Sequence, residues 1–367
     1  MAPVELREGL GVVDGREQQG VVVALHVWFL RSPGDRVTTR QHPGGGYRPC
    51  GMRTLGSTGL SVSPIGLGLA ALGRPGYINL GHAGDVGDTD VAAMERHAHV
   101  VLDAAYEGGV RYFDAARSYG RGEAFLASWL EGRSDDDVTV GSKWGYTYTA
   151  GWRVDAQAHE VKDLSVETLR RQLAETRALL GDRLALYQIH SATIDSGVLD
   201  DDSVREELAR LRATGVFIGL TTTGPRQAET IERALEGGGF DTVQATWNLH
   251  DRSAGPALAA AHEAGLGVIV KEALANGRLT PRGGASAEPL VAAARERGTP
   301  PDALALAAVL AQPWVDVVLS GAATVEQLRS NVRALDVAWD PELDERLAAL
   351  AEPPDEYWER RSELAWN

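Results

Sequence analysis

From residue 65 onward, short apolar segments alternate with amphipathic segments, and this alternation limits the fold more than any other feature of the sequence. Each apolar segment has the length of a β-strand, and the residues that follow repeat apolar side chains at helical spacing, as Met94, Ala98 and Val101 do. Strands that alternate with helices form parallel sheets, because a helical crossover returns the chain to the same end of the sheet. The predicted strands are Ile65–Leu69, Arg111–Asp114, Val138–Lys143, Leu184–His190, Phe217–Thr221, Thr242–Thr246, Gly267–Val270 and Val315–Ser320.

The number of predicted strands favours a closed barrel over an open sheet. Eight strands and eight helices over about 300 residues match the size and order of a (β/α)₈ barrel, although a doubly wound open sheet shows the same alternation. A β-hairpin with a Gly-bearing turn at 56–59 is predicted before the first strand. We therefore predict an α/β fold, a (β/α)₈ TIM barrel with an N-terminal β-hairpin over residues 52–352, followed by a C-terminal tail at 353–367.

Three predicted strand-to-helix connections are unusually long, and they span 70–90, 144–163 and 273–286. Loops of this length in a compact domain usually carry function. In a barrel all three open onto the C-terminal face, where active sites are built. We therefore expect the functional site on that face.

The charge balance and the cysteine count exclude several kinds of function. The formal net charge of −15 argues against nucleic acid or an anionic membrane as a partner. A single cysteine, Cys50, can form neither an internal disulfide nor a multi-thiolate metal site. The longest apolar run, at 21–30, is too short to span a bilayer, and acidic residues precede it. We expect a cytoplasmic protein that acts on a small molecule, and the sequence leaves its oligomeric state open.

Four ionisable side chains stand at or just beyond the ends of neighbouring predicted strands. Asp114 ends the second strand, Lys143 the third and His190 the fourth, while Tyr119 follows Asp114 by five residues. Each alone is compatible with helix capping or packing, but in a barrel these strand ends converge on one mouth. A tyrosine is a poor acid near neutral pH, and a nearby cation fixed by an aspartate stabilises its phenolate and lowers its pKa. The four residues together predict a proton-transfer site.

These residues lie in segments that resemble the aldo-keto reductases in order and in spacing. The resemblance covers Met52–Leu350 and is carried by the segments 53–63, 113–120, 142–144, 188–190 and 321–331. It implies a barrel that binds a nicotinamide nucleotide in an extended pose across its mouth, without a Rossmann motif. It also implies a catalytic tetrad of Asp114, Tyr119, Lys143 and His190.

The segment after the eighth strand has the spacing of a capped helix, with Thr324 and Gln327 as a capping box. A helix N-terminus behind small residues offers backbone N–H groups to a phosphate, and the resemblance assigns this segment to the adenosine phosphate. The resemblance also implies partners for the nicotinamide carboxamide and for the pyrophosphate. The expected cofactor-binding residues are Gly68, Thr221, Thr222, Gln244, Leu274, Asn276, Gly277, Ser320, Gly321, Thr324, Gln327 and Asn331.

The sequence departs from many relatives at two places. Gly321 and Gln327 stand where many relatives carry Lys and Arg against the 2′-phosphate of NADP. Arg329 and Arg333 are the candidates to replace them. The seventh strand is followed by Lys271, where many relatives carry an aromatic ring that stacks on the nicotinamide. We therefore expect NADP(H) to be preferred only modestly, with NAD(H) as the other cofactor.

The predicted function is hydride transfer between NADP(H) and a carbonyl or alcohol, with Tyr119 as general acid and base. One alternative is a cofactor-binding auxiliary subunit of the same fold with little turnover, and another is an aldose dehydrogenase that works in the oxidative direction. A phosphate-handling isomerase would need a Glu base, for which Glu272 is the candidate. No residues have the spacing of metal ligands, so we predict no metal. Aromatic loop residues could contact the substrate or pack against the barrel rim, and they are Tyr77, Trp144, Tyr146 and Trp152.

Residues 1–51 lack a sustained periodicity, and we interpret them as a flexible or non-native extension, with a subdomain built on 21–30 as the alternative. A protein that begins at Met52 should therefore fold and keep the activity of the full chain. Circular dichroism and a carbonyl reductase assay on both proteins test this. An insoluble or inactive shortened protein would assign the extension to the fold.

Overall fold

The computed structural model describes residues 51–131, 133 and 137–367. The interpretation of the N-terminal extension therefore falls outside the described residues, apart from Gly51. Within them, no helix is both long and apolar enough to cross a membrane.

Eight parallel strands close a barrel, which confirms the predicted (β/α)₈ fold. In chain order the strands of the described residues are β1 (Arg53–Thr54), β2 (Ser61–Val62), β3 (Ile65–Gly68), β4 (Tyr112–Asp114), β5 (Thr139–Trp144), β6 (Tyr146–Tyr148), β7 (Glu160–Lys162), β8 (Leu184–Ala192), β9 (Phe217–Thr222), β10 (Thr242–Thr246), β11 (Gly267–Lys271) and β12 (Val317–Ser320). Strands β3, β4, β5, β8, β9, β10, β11 and β12 pair in that order, and β12 pairs with β3 to close the barrel. All eight barrel strands end within two residues of the predicted positions.

Helices follow every barrel strand and bury their apolar stripes against it. In chain order the α-helices of the described residues are α1 (His82–Val86), α2 (Val91–Glu107), α3 (Gly122–Glu131), α4 (Val166–Leu180), α5 (Asp202–Arg212), α6 (Gln227–Gly237), α7 (Gly255–Glu263), α8 (Glu288–Glu296), α9 (Pro301–Leu310), α10 (Val325–Val332), α11 (Pro341–Leu347) and α12 (Pro354–Ser362). Val101 of α2 and Leu169 of α4 are fully buried in one apolar cluster with Val140 of β5. The helical spacing of these apolar residues is therefore the spacing that covers the sheet.

The predicted N-terminal hairpin is present and closes one end of the barrel. Strands β1 and β2 pair antiparallel, and Leu55 and Val62 pack with Tyr112 and Ile269 from the barrel strands. The turn approaches β11 so closely that a Cβ atom at Gly56, whose φ is +50°, would lie 2.2 Å from a backbone nitrogen. Only glycine fits there. This end of the barrel is filled, so a cavity can open only at the other end.

The long connections carry structure of their own. The first contains α1, the second contains the antiparallel hairpin β6–β7, and the third contains two 3₁₀ turns, Ala275–Gly277 and Pro281–Ala287. All three extend beyond the carboxyl ends of the barrel strands.

The segment predicted as a C-terminal tail, 353–367, folds instead as part of the packed domain. Its helix α12 buries Tyr357 and Trp358. The Tyr357 hydroxyl accepts a hydrogen bond from Asn248 at 3.0 Å, and the Trp358 indole donates one to Asp251 at 3.0 Å. Two buried aromatic side chains with satisfied polar atoms hold this helix against the barrel mouth.

Candidate active site

A cavity of about 650 Å³ opens at the carboxyl ends of the barrel strands. The last residues of β3, β4, β11 and β12 line it, and the three long connections and the C-terminal segment complete its wall. The strand-end residues in the wall are Gly68, Asp114, Lys271 and Ser320. This is the face on which parallel barrels place their sites.

Lys143 lies just below the cavity, and its ammonium group hydrogen-bonds three acceptors, two of which belong to the residues Asp114 and Tyr119 that line the cavity. Its Nζ donates hydrogen bonds to an Asp114 carboxylate oxygen, to the Ala115 carbonyl at 2.9 Å and to the Tyr119 hydroxyl at 3.1 Å. Both Lys143 and Asp114 are 1% exposed. A buried ammonium is tolerated only when it is paired and hydrogen-bonded, and these three acceptors satisfy all its protons.

Asp114 is held in place on its other oxygen. Its Oδ1 accepts hydrogen bonds from the Tyr112 hydroxyl at 3.2 Å, the Gln188 amide at 3.3 Å and the Gln244 amide at 3.2 Å. The donors come from β4, β8 and β10, so residues from opposite sides of the barrel fix one carboxylate. Gln244 therefore positions Asp114, whereas the sequence assigned it only to the cofactor.

Tyr119 is protonated near neutral pH in this setting. Burial raises the pKa of its hydroxyl well above the usual value, the Asp114 carboxylate raises it further, and the Arg74 guanidinium opposes both. The sequence predicted a lowered pKa for Tyr119. In the structure the pKa is raised, because burial of the hydroxyl outweighs the effect of the nearby cations. When Tyr119 loses its proton, the hydrogen bond from Lys143 stabilises the phenolate, because Nζ still donates to the phenolate oxygen.

His190 is neutral and faces Tyr119. Burial and the surrounding cations, of which Lys143 is the strongest, hold the pKa of the imidazole well below its usual value. Its ring lies edge-on to the Tyr119 ring, with centroids 5.6 Å apart, and 5.0 Å from the Tyr146 ring. Its Nδ1 lies 3.5 Å from the Ser118 hydroxyl. A neutral imidazole can donate one hydrogen bond to an oxygen at Tyr119 without carrying charge.

The cavity wall contains most of the residues expected to hold the cofactor. Those that line it are Gly68, Gln244, Leu274, Asn276, Gly277, Ser320, Gly321, Gln327 and Asn331. Thr221 and Thr222 are fully buried and do not line it, and the Thr221 hydroxyl accepts a hydrogen bond from the Ser191 backbone at 2.7 Å. Thr223, the next residue, lines the cavity in their place.

Thr324 caps helix α10 rather than lining the cavity. Its hydroxyl accepts a hydrogen bond from the Gln327 backbone at 3.2 Å, and the Gln327 side chain accepts one from the Ala323 backbone at 2.9 Å. This is the predicted capping box, except that the backbone N–H that bonds the Gln327 side chain belongs to Ala323 and not to Thr324. The cap fixes the helix N-terminus whose small residues, Gly321 to Ala323, face the cavity.

The residues present fit a nicotinamide dinucleotide. The volume lies within the usual range for cofactor sites, and the wall joins apolar residues to a few polar groups. A Cβ atom built at Gly68 would meet its nearest neighbour at 3.7 Å and one at Gly321 at 3.9 Å, so both positions leave backbone open to the cavity. The Asn276 side-chain oxygen is buried without a hydrogen-bond partner in the described part of the chain. Such an unpaired acceptor can accept a hydrogen bond from an amide or hydroxyl group of a bound molecule.

Arg282 is a basic residue of the cavity wall that the sequence analysis did not single out. It donates to both oxygens of Asp85 at 2.6 Å. Arg282, Asp85 and Gln327 all line the cavity, whereas Arg329 and Arg333 are outside the described lining. Arg282 is therefore the basic side chain of these three arginines that lines the cavity, and the roles expected of Arg329 and Arg333 stay predictions.

An ion-pair cluster occupies the wall where many relatives carry a stacking aromatic ring. Arg361 of α12 donates to both oxygens of Glu272, at 2.8 and 2.5 Å. Lys271 donates to the Thr246 hydroxyl at 3.0 Å. Burial raises the pKa of Glu272, but Arg361 and Lys271 bring it down to about 2, so it is a carboxylate and not a base near neutral pH. This disfavours the isomerase that would need Glu272 as its base.

The four aromatic residues considered for substrate contact differ in where their side chains lie relative to the cavity. Tyr77 lines the cavity, and Tyr146 contacts the His190 ring from behind the lining. Trp144 is fully buried in the apolar core, which excludes it from substrate contact. Trp152 packs on the rim, where its indole donates to the Thr89 carbonyl at 2.7 Å. In this structure both tryptophans pack against the protein, as one of the two alternatives describes.

The cavity residues that the sequence analysis did not single out also include Arg74, Glu160 and Trp366. They come from the first long connection, from β7 and from the C-terminal segment. Arg74 and Glu160 had a signal, since both lie in long connections that were expected to face the site. Among the described residues, no three His, Cys, Asp or Glu side chains are grouped so that they could hold a metal ion.

The structure is a closed (β/α)₈ barrel with a cavity at the carboxyl ends of its strands. The sequence profile of the Aldo/keto reductase family matches residues 64–352, and the chain belongs to this family. Its members use nicotinamide cofactors and act on small molecules, and the chain is an oxidoreductase of this family.

Known relatives agree with this assignment. The uncharacterized oxidoreductase YqkF of Bacillus subtilis (strain 168) is 26% identical over 308 residues, which are 77% of this chain and 90% of that protein. The D-threo-aldose 1-dehydrogenase of a Pseudomonas species is 28% identical over 271 residues, 68% of this chain and 78% of that protein. The holo form of aldo-keto reductase AKR11C1 from Bacillus halodurans has the same fold, with a TM-score of 0.64, 23% identity, and coverage of 82% and 96% of the two chains.

The lowered pKa of His190 has a direct test. Because burial and the cations around it disfavour the imidazolium, the ring should stay neutral and its NMR signals should not titrate between about pH 6 and pH 8. The spectrum of His190→Gln assigns the signal. A midpoint near the ordinary value of about 6.5 would contradict the environment described for this ring.

Proposed function

We propose that the protein is an NADP(H)-dependent oxidoreductase that interconverts a carbonyl group and an alcohol, a reaction of the EC 1.1.1 type. The observation that carries this proposal is the position of the Lys143 ammonium, which hydrogen-bonds Asp114 on one side and the Tyr119 hydroxyl, at 3.1 Å, on the other. Tyr119 and His190 then face the cavity together. We expect a cytoplasmic enzyme with a small-molecule substrate and without nucleic acid or membrane partners.

In the reductive direction, Tyr119 gives its proton to the substrate oxygen. When bound, the nicotinamide ring supplies the hydride that reaches the carbonyl carbon. The phenolate left on Tyr119 is stabilised by the Lys143 hydrogen bond, and Asp114 keeps that ammonium in position. His190, as a neutral donor, orients the carbonyl oxygen. A positioned proton donor of this kind contributes roughly 10²–10⁴-fold to the rate.

In the oxidative direction the same residues act in reverse. The Tyr119 phenolate removes the hydroxyl proton of an alcohol or lactol, so the reaction is favoured by high pH. A sugar dehydrogenase is the second candidate, and similarity to the D-threo-aldose 1-dehydrogenase supports it.

The first prediction concerns the proton donor. Tyr119→Phe removes the hydroxyl and keeps the ring, so carbonyl reduction should fall by roughly 10²-fold or more while nucleotide binding is retained. Steady-state rates with simple aldehydes and a fluorescence titration with NADPH measure the two effects. Tyr148→Phe, which changes a tyrosine of β6 outside the cavity lining, is the matched control. Wild-type turnover in Tyr119→Phe would exclude the assigned role.

The second prediction concerns Lys143. Lys143→Met removes the donor that stabilises the phenolate, so the pKa of Tyr119 should rise further and alcohol oxidation should require higher pH. The pH profile of kcat/KM for oxidation, compared with wild type, measures the shift. A nucleotide titration of the variant confirms that the cavity is preserved. If the limb on which the oxidation rate rises with pH does not move, Lys143 does not act through Tyr119.

The third prediction concerns cofactor choice. NADPH should bind more tightly than NADH, but only modestly, because Arg282 attracts the 2′-phosphate while its partner Asp85 repels it. Arg282→Ala should weaken NADPH binding by about tenfold and leave NADH binding nearly unchanged, since a charge-assisted hydrogen bond is lost. Arg333→Ala, at an exposed arginine, is the control. Dissociation constants for both nucleotides decide the matter. A clear preference of the wild type for NADH would show that Asp85 dominates.

A further inference from the structure

Arg74 is a buried cation beside Tyr119 that takes no part in the tetrad. It is 3% exposed, yet it lines the cavity. Its guanidinium carbon lies 5.3 Å from the centroid of the Tyr119 ring, so it borders the place where the reacting oxygen must lie. A buried guanidinium at this position needs acceptors, and the protein supplies only part of them.

One nitrogen of Arg74 is anchored and another is available. Nη1 donates to the Ser118 carbonyl at 3.1 Å and to Oε2 of Glu160 at 3.0 Å. Nη2 has no hydrogen-bond partner in the described residues, and no hydrogen bond from them reaches Oε1 of Glu160. Glu160 also lines the cavity and is about one quarter exposed, with 26% of its side-chain surface accessible. The pair therefore offers one donor and one acceptor side by side.

Two aromatic rings flank this ion pair and fix it. The guanidinium carbon lies 4.8 Å from the Tyr77 ring and 4.7 Å from the Trp366 ring. Trp366 is stacked on His159, with centroids 3.9 Å apart and an interplanar angle of 7°. The backbones of Tyr77 and Asn367 exchange two hydrogen bonds of 3.1 Å. Segments from four parts of the chain thus hold the donor and the acceptor in a fixed geometry.

The chemistry of this subsite selects among the carbonyl compounds that the tetrad could reduce. A carboxylate substrate would meet the repulsion of Glu160, and an apolar one would cover the free donor and acceptor without satisfying them. A hydroxyl group both donates and accepts, so two neighbouring hydroxyls satisfy Arg74 and Glu160 together.

We propose that Arg74 and Glu160 form a subsite that binds two neighbouring hydroxyl groups of a polyhydroxylated aldehyde or lactol, with its reacting carbon at Tyr119. The inference rests on the proposed carbonyl–alcohol oxidoreduction and specifies its substrate class. Arg74 and Glu160 are specificity-determining residues here. They act on the substrate beside the reacting atoms.

The test compares aldehydes of equal length with and without hydroxyl groups. The full-length protein with NADPH is assayed with glyceraldehyde and with propanal, and kcat and KM are determined separately. Arg74→Met and Glu160→Gln keep much of the side-chain volume and remove the charges. Arg153→Met and Asp155→Asn disrupt an exposed ion pair, with 66% and 78% of the side chains accessible, and serve as controls. Arg74 and Glu160 both influence the pKa of Tyr119. A change in this pKa affects both aldehydes equally, so it drops out of the ratio of their kcat/KM values.

The wild type should prefer glyceraldehyde, and each cavity variant should lower that preference about tenfold, mainly through KM for glyceraldehyde. The control variants should leave the ratio unchanged. Because Arg74 is buried, its variant could lose the fold, and Glu160→Gln, at a partly exposed residue, then carries the test. Succinic semialdehyde against butanal probes the competing class, and a preference for the carboxylate would overturn the proposal.

Failure of the inference can be told from failure of the proposed function. If both aldehydes are reduced but the ratio is the same in wild type and Glu160→Gln, the subsite is refuted and the oxidoreductase stands. If neither aldehyde is reduced and a fluorescence titration detects no NADPH or NADH binding, the proposed function fails and the subsite falls with it. If NADPH binds but glyceraldehyde is not turned over while propanal is, the subsite is also refuted.

Discussion

The ion pair between Lys143 and Asp114 is the interaction on which the site depends. Neither charge reaches solvent, and breaking such a pair by removing one partner costs about 3–5 kcal/mol because the other charge stays buried. The backbone carbonyl of Ala115 and the amides of Gln188 and Gln244 complete its hydrogen bonds. These donors and acceptors belong to strands that lie apart in the barrel. Lys143 and Asp114 lie on the neighbouring strands β5 and β4, whereas Gln244 reaches Asp114 from β10 on the opposite side of the barrel. The hydrogen bonds of the pair are therefore complete only when the barrel has closed, so the contacts that complete the fold also fix the ammonium that bonds Tyr119.

The barrel and the convergence of the four side chains at its mouth could be predicted because their signals are local or follow from topology. Apolar runs and helical spacing are read within about 15 residues, and parallel strands bring their carboxyl ends together whatever the loops do. The proximity of Asp114, Lys143 and His190 could therefore be predicted from their positions at the carboxyl ends of β4, β5 and β8. The pKa of Tyr119 could not be read in this way, because its direction depends on how completely the surrounding loops bury the hydroxyl.

Strand geometry also explains one misplaced residue. Successive side chains of a barrel strand point alternately inward and outward. Lys143 points to the cavity floor, so Trp144, the next residue of β5, must point to the helix layer, where it is fully buried. The aromatic character of Trp144 suggested substrate contact, but the alternation of β5 decides against it. Arg74, Trp366 and Arg361 lacked any such guide, since their contacts join loops and chain segments that are far apart in sequence and follow no period.

The floor and the cover of the cavity differ in how firmly they are held. The floor consists of buried charges that pair with one another, whereas the cover joins the first and third long connections through Arg282 and Asp85, with Arg282 42% exposed. The Leu80 backbone donates to the Asn276 carbonyl at 3.0 Å beside them. Exposed ion pairs contribute about 0.2–1 kcal/mol, several times less than a buried pair loses when one partner is removed. The contacts of the cover therefore cost less free energy to break than the buried ion pair of the floor.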